Sequence, residues 1–330
     1  MSSKNGCAGW QMPVSCFDCQ CKILSDPVIS ILEAVDWTEF SYLEKYGGKG
    51  RHPVHRRIGL LKALLYLELA GLPSVHELLR ILARDPYKMR ILGLDRLPHD
   101  SVFSNFKKVL GKTMDRMVAR LTGMLHKHYP DLFARLGVDS TKVEAFTKKD
   151  KQAGWGYDHI SKSFYKGYKV HLLYNTGLLV PVSYTVTSAS VHDNTQLRPL
   201  VGKLGAGILL ASGLIGDRAY DSRANVEDFI RVGVTMINRK NKRKSKKIKG
   251  KYRLQDYVKV HGNLLNHLYK KRLDCEVTNN LLKEHLHLTS TRTKGSMRNR
   301  VKTGLTILAR QIHVLHQLLH EKTTRTAIIN

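Results

Sequence analysis

The chain has 330 residues, with 55 Lys and Arg against 27 Asp and Glu and a formal charge of +28. That length suffices for one large domain or two ordinary ones, and so large a cationic excess points to a polyanionic partner. No apolar run approaches the roughly 18 residues of a membrane span, and the opening MSSKNGCAGWQ lacks the apolar core of a signal peptide, so a cytoplasmic protein with no membrane partner is expected.

Residues 1–27 read as an irregular arm. It carries Cys7, Cys16, Cys19 and Cys21 in the pattern C-x8-C-x2-C-x-C. Four thiolates can hold zinc tetrahedrally, although the C-x-C step is short for a simple knuckle. The alternative is reduced cysteines in a loose arm, since a reducing cytosol disfavours disulfides.

Residues 28–128 read as an all-helical domain. Ile58, Leu61, Leu65 and Leu69 recur at helical spacing, and Gly71 with Pro73 ends that helix. Ser74-Val75-His76-Glu77 is a capping box for the next, which Pro86 breaks. Asp100 or Ser101 can cap a short helix bearing Lys107 and Lys108. Short helices with basic faces suit a DNA-binding unit of helix-turn-helix type or a plain helical bundle.

Strands enter after Leu132. RLGVDSTKVEAF reads as one strand. YKGYKVHLLYN and LLVPVSYTVTS flank the turn Asn175-Thr176-Gly177 and read as a hairpin. A helix is expected over 195–205. The apolar run GILLASGLIGD ends at Asp217, SRANVEDFIRV reads as a helix with Asp221 as its cap, and VTMIN reads as a strand. Strands mixed with helices imply an α/β core over residues 129–322. A basic insert, 238–268, interrupts it with RKNKRKSKKIKGKYR, including Lys242, Arg243, Lys244, Lys246 and Lys247. Val301, Leu305, Leu308, Ile312, Leu315 and Leu319 form the stripe of a closing helix, ahead of the tail 323–330.

The stretch YKKRLDCEVTNNLLK, 269–283, reads as a helix. At about 100° per residue, Tyr269, Arg272, Glu276 and Lys283 fall within an arc of roughly 60°. Arg272 and Glu276 are four apart and can pair. Asp139 and Asp217 are isolated acids at the polar ends of apolar strands, and with Glu276 they make three carboxylates able to converge at one end of a mixed sheet. Oxygen-only ligands favour Mg²⁺ or Mn²⁺, and three carboxylates can hold two such ions about 4 Å apart for in-line displacement at phosphorus. Glu144 is a rival ligand, but alternation along a strand points it away from Asp139.

Together VDSTKVEA, GDRAYDS and Y-x2-R-x3-E-x6-K resemble the DDE-class transposases of insertion sequences, and the helical segment from Gly59 to Lys108 resembles their N-terminal region. The resemblance covers roughly residues 50–320. It implies a ribonuclease H-like catalytic domain with a mixed sheet and flanking helices. Asp139, Asp217 and Glu276 would be the catalytic, metal-binding triad, and Tyr269, Arg272 and Lys283 would handle the phosphates of the element ends. The implied activity is cleavage at inverted-repeat ends and joining of the freed 3′ ends to target DNA. The partners would be double-stranded DNA and a second copy of the chain assembled on it, in the nucleoid. The alternatives are an inactive transposase-derived DNA-binding protein and a ribonuclease H-like nuclease without strand transfer. His192-Asp193 also resembles the family, and reads locally as a turn.

Overall fold

A computed structural model describes residues 26–45, 53–158, 161–238, 267–289 and 293–320. Its centre is a mixed sheet of β1 (Arg135–Glu144), β2 (Gly154–Asp158), β3 (Ser163–Asn175), β4 (Val180–Ser188), β5 (Gly213–Gly216) and β6 (Thr235–Ile237). The long β3 pairs antiparallel with β1 along one edge. Its other edge is shared, β2 taking the first part and β4 the second. On the far side of β1 lies β5, then β6, both parallel to their neighbours. The hairpin between β3 and β4 closes through Asn175, whose Oδ1 accepts from Gly177 N (2.8 Å) and Leu178 N (2.7 Å). That is the local bonding that makes Asn a turn residue.

The helices are α1 (Pro27–Glu33), α2 (Arg57–Leu69), α3 (Val75–Arg84), α4 (Pro86–Ile91), α5 (Asp100–His128), α6 (Leu197–Gly202), α7 (Arg223–Arg231), α8 (Leu273–Asn280) and α9 (Ser296–Leu319). The last of these organises the rest, packing against β4, α5 and α2. The expected stripe residues Val301, Leu305, Leu308, Ile312 and Leu315 are buried, whereas Leu319 at the end of the helix is exposed. Its remaining faces are covered as well. Arg310 donates to the carbonyls of Leu178 and Leu179, and Gln311 Nε2 donates to Thr122 Oγ1 and Pro181 O at 2.9 Å. Gly304 sits where a Cβ would overlap Met114 and the Tyr184 hydroxyl, so only glycine lets α9 approach α5 and β4 this closely. One hydrophobic cluster runs continuously from α1 and α2 through α5 and α9 into the sheet.

Ser74 caps α3 as expected, its Oγ accepting from Glu77 N at 3.2 Å, while Glu77 Oε2 pairs with Arg80 Nη1 at 3.0 Å. Pro86 does break the pattern, because it opens α4 as the first residue after the cap Asp85. Several expectations need correction. The expected short helix bearing Lys107 is the 29-residue α5, capped by His99 rather than Asp100 or Ser101. The run ending at Asp217 is not one strand. Residues Gly205–Leu210 form a 3₁₀ turn with Leu209 and Leu210 exposed, and only Gly213–Gly216 pairs. Ser222, not Asp221, caps α7. The strand β2 was not anticipated, because its alternating Gly-Trp-Gly-Tyr carries little hydrophobic signal.

Glu68 on α2 is buried, and its carboxylate meets Lys302 Nζ of α9 at 2.5 Å and Thr306 Oγ1 at 3.3 Å. Removing the cation strands a buried charge, which typically costs about 3–5 kcal/mol. Lys302→Met is therefore expected to lower the urea midpoint sharply. The double variant Glu68→Leu/Lys302→Met should recover most of that loss, which equilibrium unfolding would measure.

Candidate active site

The parallel pairing of β1 with β5 ends at Val138 and Gly216. The next residue on each strand is an aspartate, so Asp139 and Asp217 lie side by side where the two strands end their pairing. Each is held locally. Asp217 Oδ1 accepts from Ala219 N at 2.8 Å and so opens the turn Arg218–Tyr220. Asp139 Oδ2 accepts from Asn279 Nδ2 of α8 at 2.9 Å. That bond lays α8 across the carboxylates, beside the buried contact of Tyr174 Oη with Cys275 Sγ.

Two carboxylates crowded in a recess resist ionising. Burial pushes Asp139 up to about 7, and the charge of Asp217 adds to the shift. Asp217 is raised by burial too, although the Ala219 N–H bond opposes this. Arg272 favours the charged form of both.

Glu276 is exposed and lies one turn before Asn279 on α8. Its Oε1 meets Arg272 Nη2 at 3.0 Å, the pair expected from their spacing. Burial works against the Arg272 cation, but the bond to Glu276 outweighs it and raises the guanidinium. Lys283 is lowered by burial and by Lys142, while Asp139 pulls the other way. Tyr269 packs beside Ile215 and Ile237 at the ends of β5 and β6. The helix expected over 269–283 is not continuous. A turn at residues 271–272 precedes α8, and Leu281–His285 widens into a π-helical turn. The ideal arc therefore does not describe Tyr269 and Lys283, yet both remain in the neighbourhood of the aspartates or of Arg272. Glu144 stays apart, exposed and paired with Lys142 at 3.3 Å.

Asn279 does not stand out in the sequence, and Asp193 reads there only as part of a turn that resembles the family. Asn279 lies three residues after Glu276, a spacing that shares a helix face and could have flagged it. Asp193 begins a 3₁₀ turn packed against Arg218–Tyr220, and its charge raises both aspartates. It pairs with Lys169 Nζ at 3.1 Å and faces His171 Nδ1 at 3.6 Å. Burial lowers His171 to about 4. The turn expected at His192-Asp193 is therefore there, and it also adds negative charge behind the site. Cys7, Cys16, Cys19 and Cys21, and the run containing Lys242, Arg243, Lys244, Lys246 and Lys247, lie outside the described residues.

Among the described residues no three His, Cys, Asp or Glu side chains are gathered as a metal site, and Glu276 is instead held by Arg272. The donor chemistry nonetheless fits a hard divalent cation. Asp139 and Asp217 repel each other in a desolvated recess, which a cation would relieve, and the buried Oδ1 of Asn279 is an oxygen without a hydrogen-bond partner.

Against this geometry stand two family matches. Residues 135–312, over half of the chain, match the transposase DDE domain, and residues 16–109 match a transposase domain of the DUF772 type. The chain belongs to the DDE transposases. Among curated proteins none matches it significantly. The family match begins with β1 and ends within α9, so it spans the whole sheet and the helix over the aspartates. Transposases of this family act on DNA and generally use divalent metal ions. No helix among the described residues is long and apolar enough to cross a membrane.

The raised carboxyl of Asp139 has a consequence for stability. Its folded value near 7 lies above the ordinary 3.8, so between those pH values unfolding releases a proton. The stabilisation is complete below about pH 4 and is lost as pH rises through 7. In EDTA, the transposase should lose stability between pH 5 and pH 8. Asp139→Asn should flatten that slope and be more stable than the parent at pH 8 by about 2 kcal/mol, read from urea unfolding.

Proposed function

We propose that this transposase cuts phosphodiester bonds at the inverted-repeat ends of its element and joins the freed 3′ ends to target DNA, from a ribonuclease H-like catalytic domain. The observation that carries the reading is the meeting of Asp139 and Asp217 at the ends of adjacent parallel strands, under a helix whose Asn279 bonds Asp139 and whose Arg272 lies near both, with Glu276 held on Arg272. The sheet order, with antiparallel β3 beside β1 and parallel β5 and β6 beyond it, supports the ribonuclease H-like assignment.

Asp139, Asp217 and Glu276 would hold Mg²⁺ or Mn²⁺, two ions at full occupancy, with Asn279 within reach as a further oxygen. Bound there, the ions supply an activated oxygen nucleophile and neutralise the leaving oxygen in an in-line displacement. The chain's own residues do the rest. The crowding of Asp139 and Asp217 stores repulsion that only a cation or a proton can relieve. Arg272 holds Glu276 while no phosphate is present, and a phosphate accepting bidentate bonds from the guanidinium would free that carboxylate. Lys283, partly desolvated beside Asp139, gives a point charge to the substrate strand, and Tyr269 borders the same surface. Lys242, Arg243, Lys244, Lys246 and Lys247 would track flanking duplex. Residues 28–128 would contribute to end recognition through the exposed Ser101, Ser104, Asn105 and Lys108 near the start of α5. The enzyme would work as a homodimer assembled on DNA, in the nucleoid.

Alanine at Asp139, Asp217 or Glu276 should abolish nicking of a labelled inverted-repeat duplex in Mg²⁺ while leaving binding largely intact. Glu144→Ala should still cut. Wild-type-like nicking by Asp217→Ala would remove the assignment, and nicking without joined products in the same reaction would reduce the enzyme to a nuclease.

The cationic run makes a separate claim. Each phosphate contacted adds about 0.9 to the log–log salt slope of duplex binding. Replacing Lys242, Arg243, Lys244, Lys246 and Lys247 with Ala should flatten that slope alike for all duplexes. An unchanged slope would leave the run a solvated loop.

A further inference from the structure

Away from the aspartates, the ribbon of β2 and β3 presents bare aromatic rings. Trp155 is 58% exposed, Tyr157 44% and Phe164 73%. The strand register pairs Tyr157 with Phe164 and Trp155 with Lys166, and paired residues share a face. Trp155 and Tyr157, two apart on one strand, stand about 7 Å from each other on that face. The rings of Tyr157 and Phe164 meet edge to face with centroids 5.2 Å apart.

A cationic groove adjoins this platform. Lys149 and Lys151, from the loop leading into β2, face Lys294 and Arg298 at the start of α9 and Lys108 of α5 around a cavity of about 510 Å³. Lys166 of the platform reaches that loop, donating to Lys148 O at 2.6 Å. The groove's one carboxylate, Asp150, is buried and already committed. It accepts from Tyr168 Oη at 2.9 Å, Gly295 N at 2.8 Å and Gln152 N at 3.0 Å. Gln152 Oε1 also accepts from Ser296 N at 2.7 Å, at the start of α9. Among the described residues no close ion pair is formed by these five cations, although Lys294 lies near enough to Asp150 to help lower its carboxyl.

Flat apolar rings beside unneutralised cations match a ligand that carries flat apolar groups on a polyanionic backbone. Duplex DNA stacks its bases on one another and hides their faces, whereas an unpaired strand offers them. We propose that this surface binds an unpaired DNA strand, with bases stacked on Trp155, Tyr157 and Phe164 and phosphates drawn along Lys149, Lys151 and Lys294. The assignment rests on the DNA-processing role above and extends it to the state of the strand. Stacking on exposed rings tolerates any base, so the site holds a strand without reading its sequence.

The test is fluorescence anisotropy of full-length protein with a short labelled oligothymidylate, in parallel with a duplex of element-end sequence. Trp155→Ala/Phe164→Ala should weaken oligothymidylate binding about tenfold or more, with duplex affinity unchanged. Trp155→Phe should keep most of the affinity, and circular dichroism should show unaltered folding because the replaced rings are exposed. Lys149→Ala/Lys151→Ala should lower the salt slope for the oligonucleotide. Duplex binding with no oligothymidylate binding, or oligothymidylate binding indifferent to the aromatic pair, would overturn the proposal and leave the transposase reading standing. So would a pair of substitutions that only turned a dimer into a monomer in sedimentation, since the rings would then be a contact between copies. Loss of binding to both DNA forms in the wild type would sink the two readings together.

Discussion

Two like charges held side by side are the constraint around which the catalytic half is arranged. Asp139 and Asp217 are each the first residue past the last paired position of adjacent parallel strands, and the hydrogen-bond ladder fixes their spacing. Neither can move away without breaking a strand end or the turn that Asp217 opens. The resulting repulsion, compounded by burial, keeps a proton on Asp139 up to near neutral pH. Once both carboxyls are ionised, such a pair calls for a compensating positive partner. Asp193 increases the demand from behind.

That arrangement is held from one side by α9. Its apolar residues fill the space between the sheet and the N-terminal helices, and its buried polar side chains tie off carbonyls at the β3–β4 turn and in β4. Because α1, α2 and α5 share this core, the helical segment is mechanically joined to the sheet.

The distribution of positive charge follows a similar economy. Several cations inside the fold are matched by carboxylates: Lys302 with Glu68, Lys88 with Asp26 at 2.8 Å, and Lys169 with Asp193. Around the groove between α5, α9 and the β1–β2 loop they are left unmatched, beside exposed rings. Unmatched surface cations raise the free protein's self-repulsion, and a polyanion bound there would relieve it.

The hairpin, the closing helix and the Arg272–Glu276 pair were legible in the sequence alone, because each depends on residues close in the chain or on a regular period, whereas Asp139, Asp217 and Glu276 stand out there only as isolated acids and through the family resemblance. Caps at Ser74, the Asn175 turn and the stripe from Val301 to Leu315 are likewise local, and all are present in the fold. The length of α5, the shortness of β5 and the existence of β2 were not legible, since tertiary burial overrode weak local signals there. Only the assembled sheet could decide that the two aspartates are neighbours, because their strands are paired across some eighty intervening positions. The same holds for Asn279 against Asp139, for Asp193 behind the site, and for the convergence of Lys108, Lys149 and Lys294. Sequence periodicity fixes which face of an element a residue occupies. Which elements meet is set by long-range burial and strand pairing, and that decided the chemistry gathered at each site.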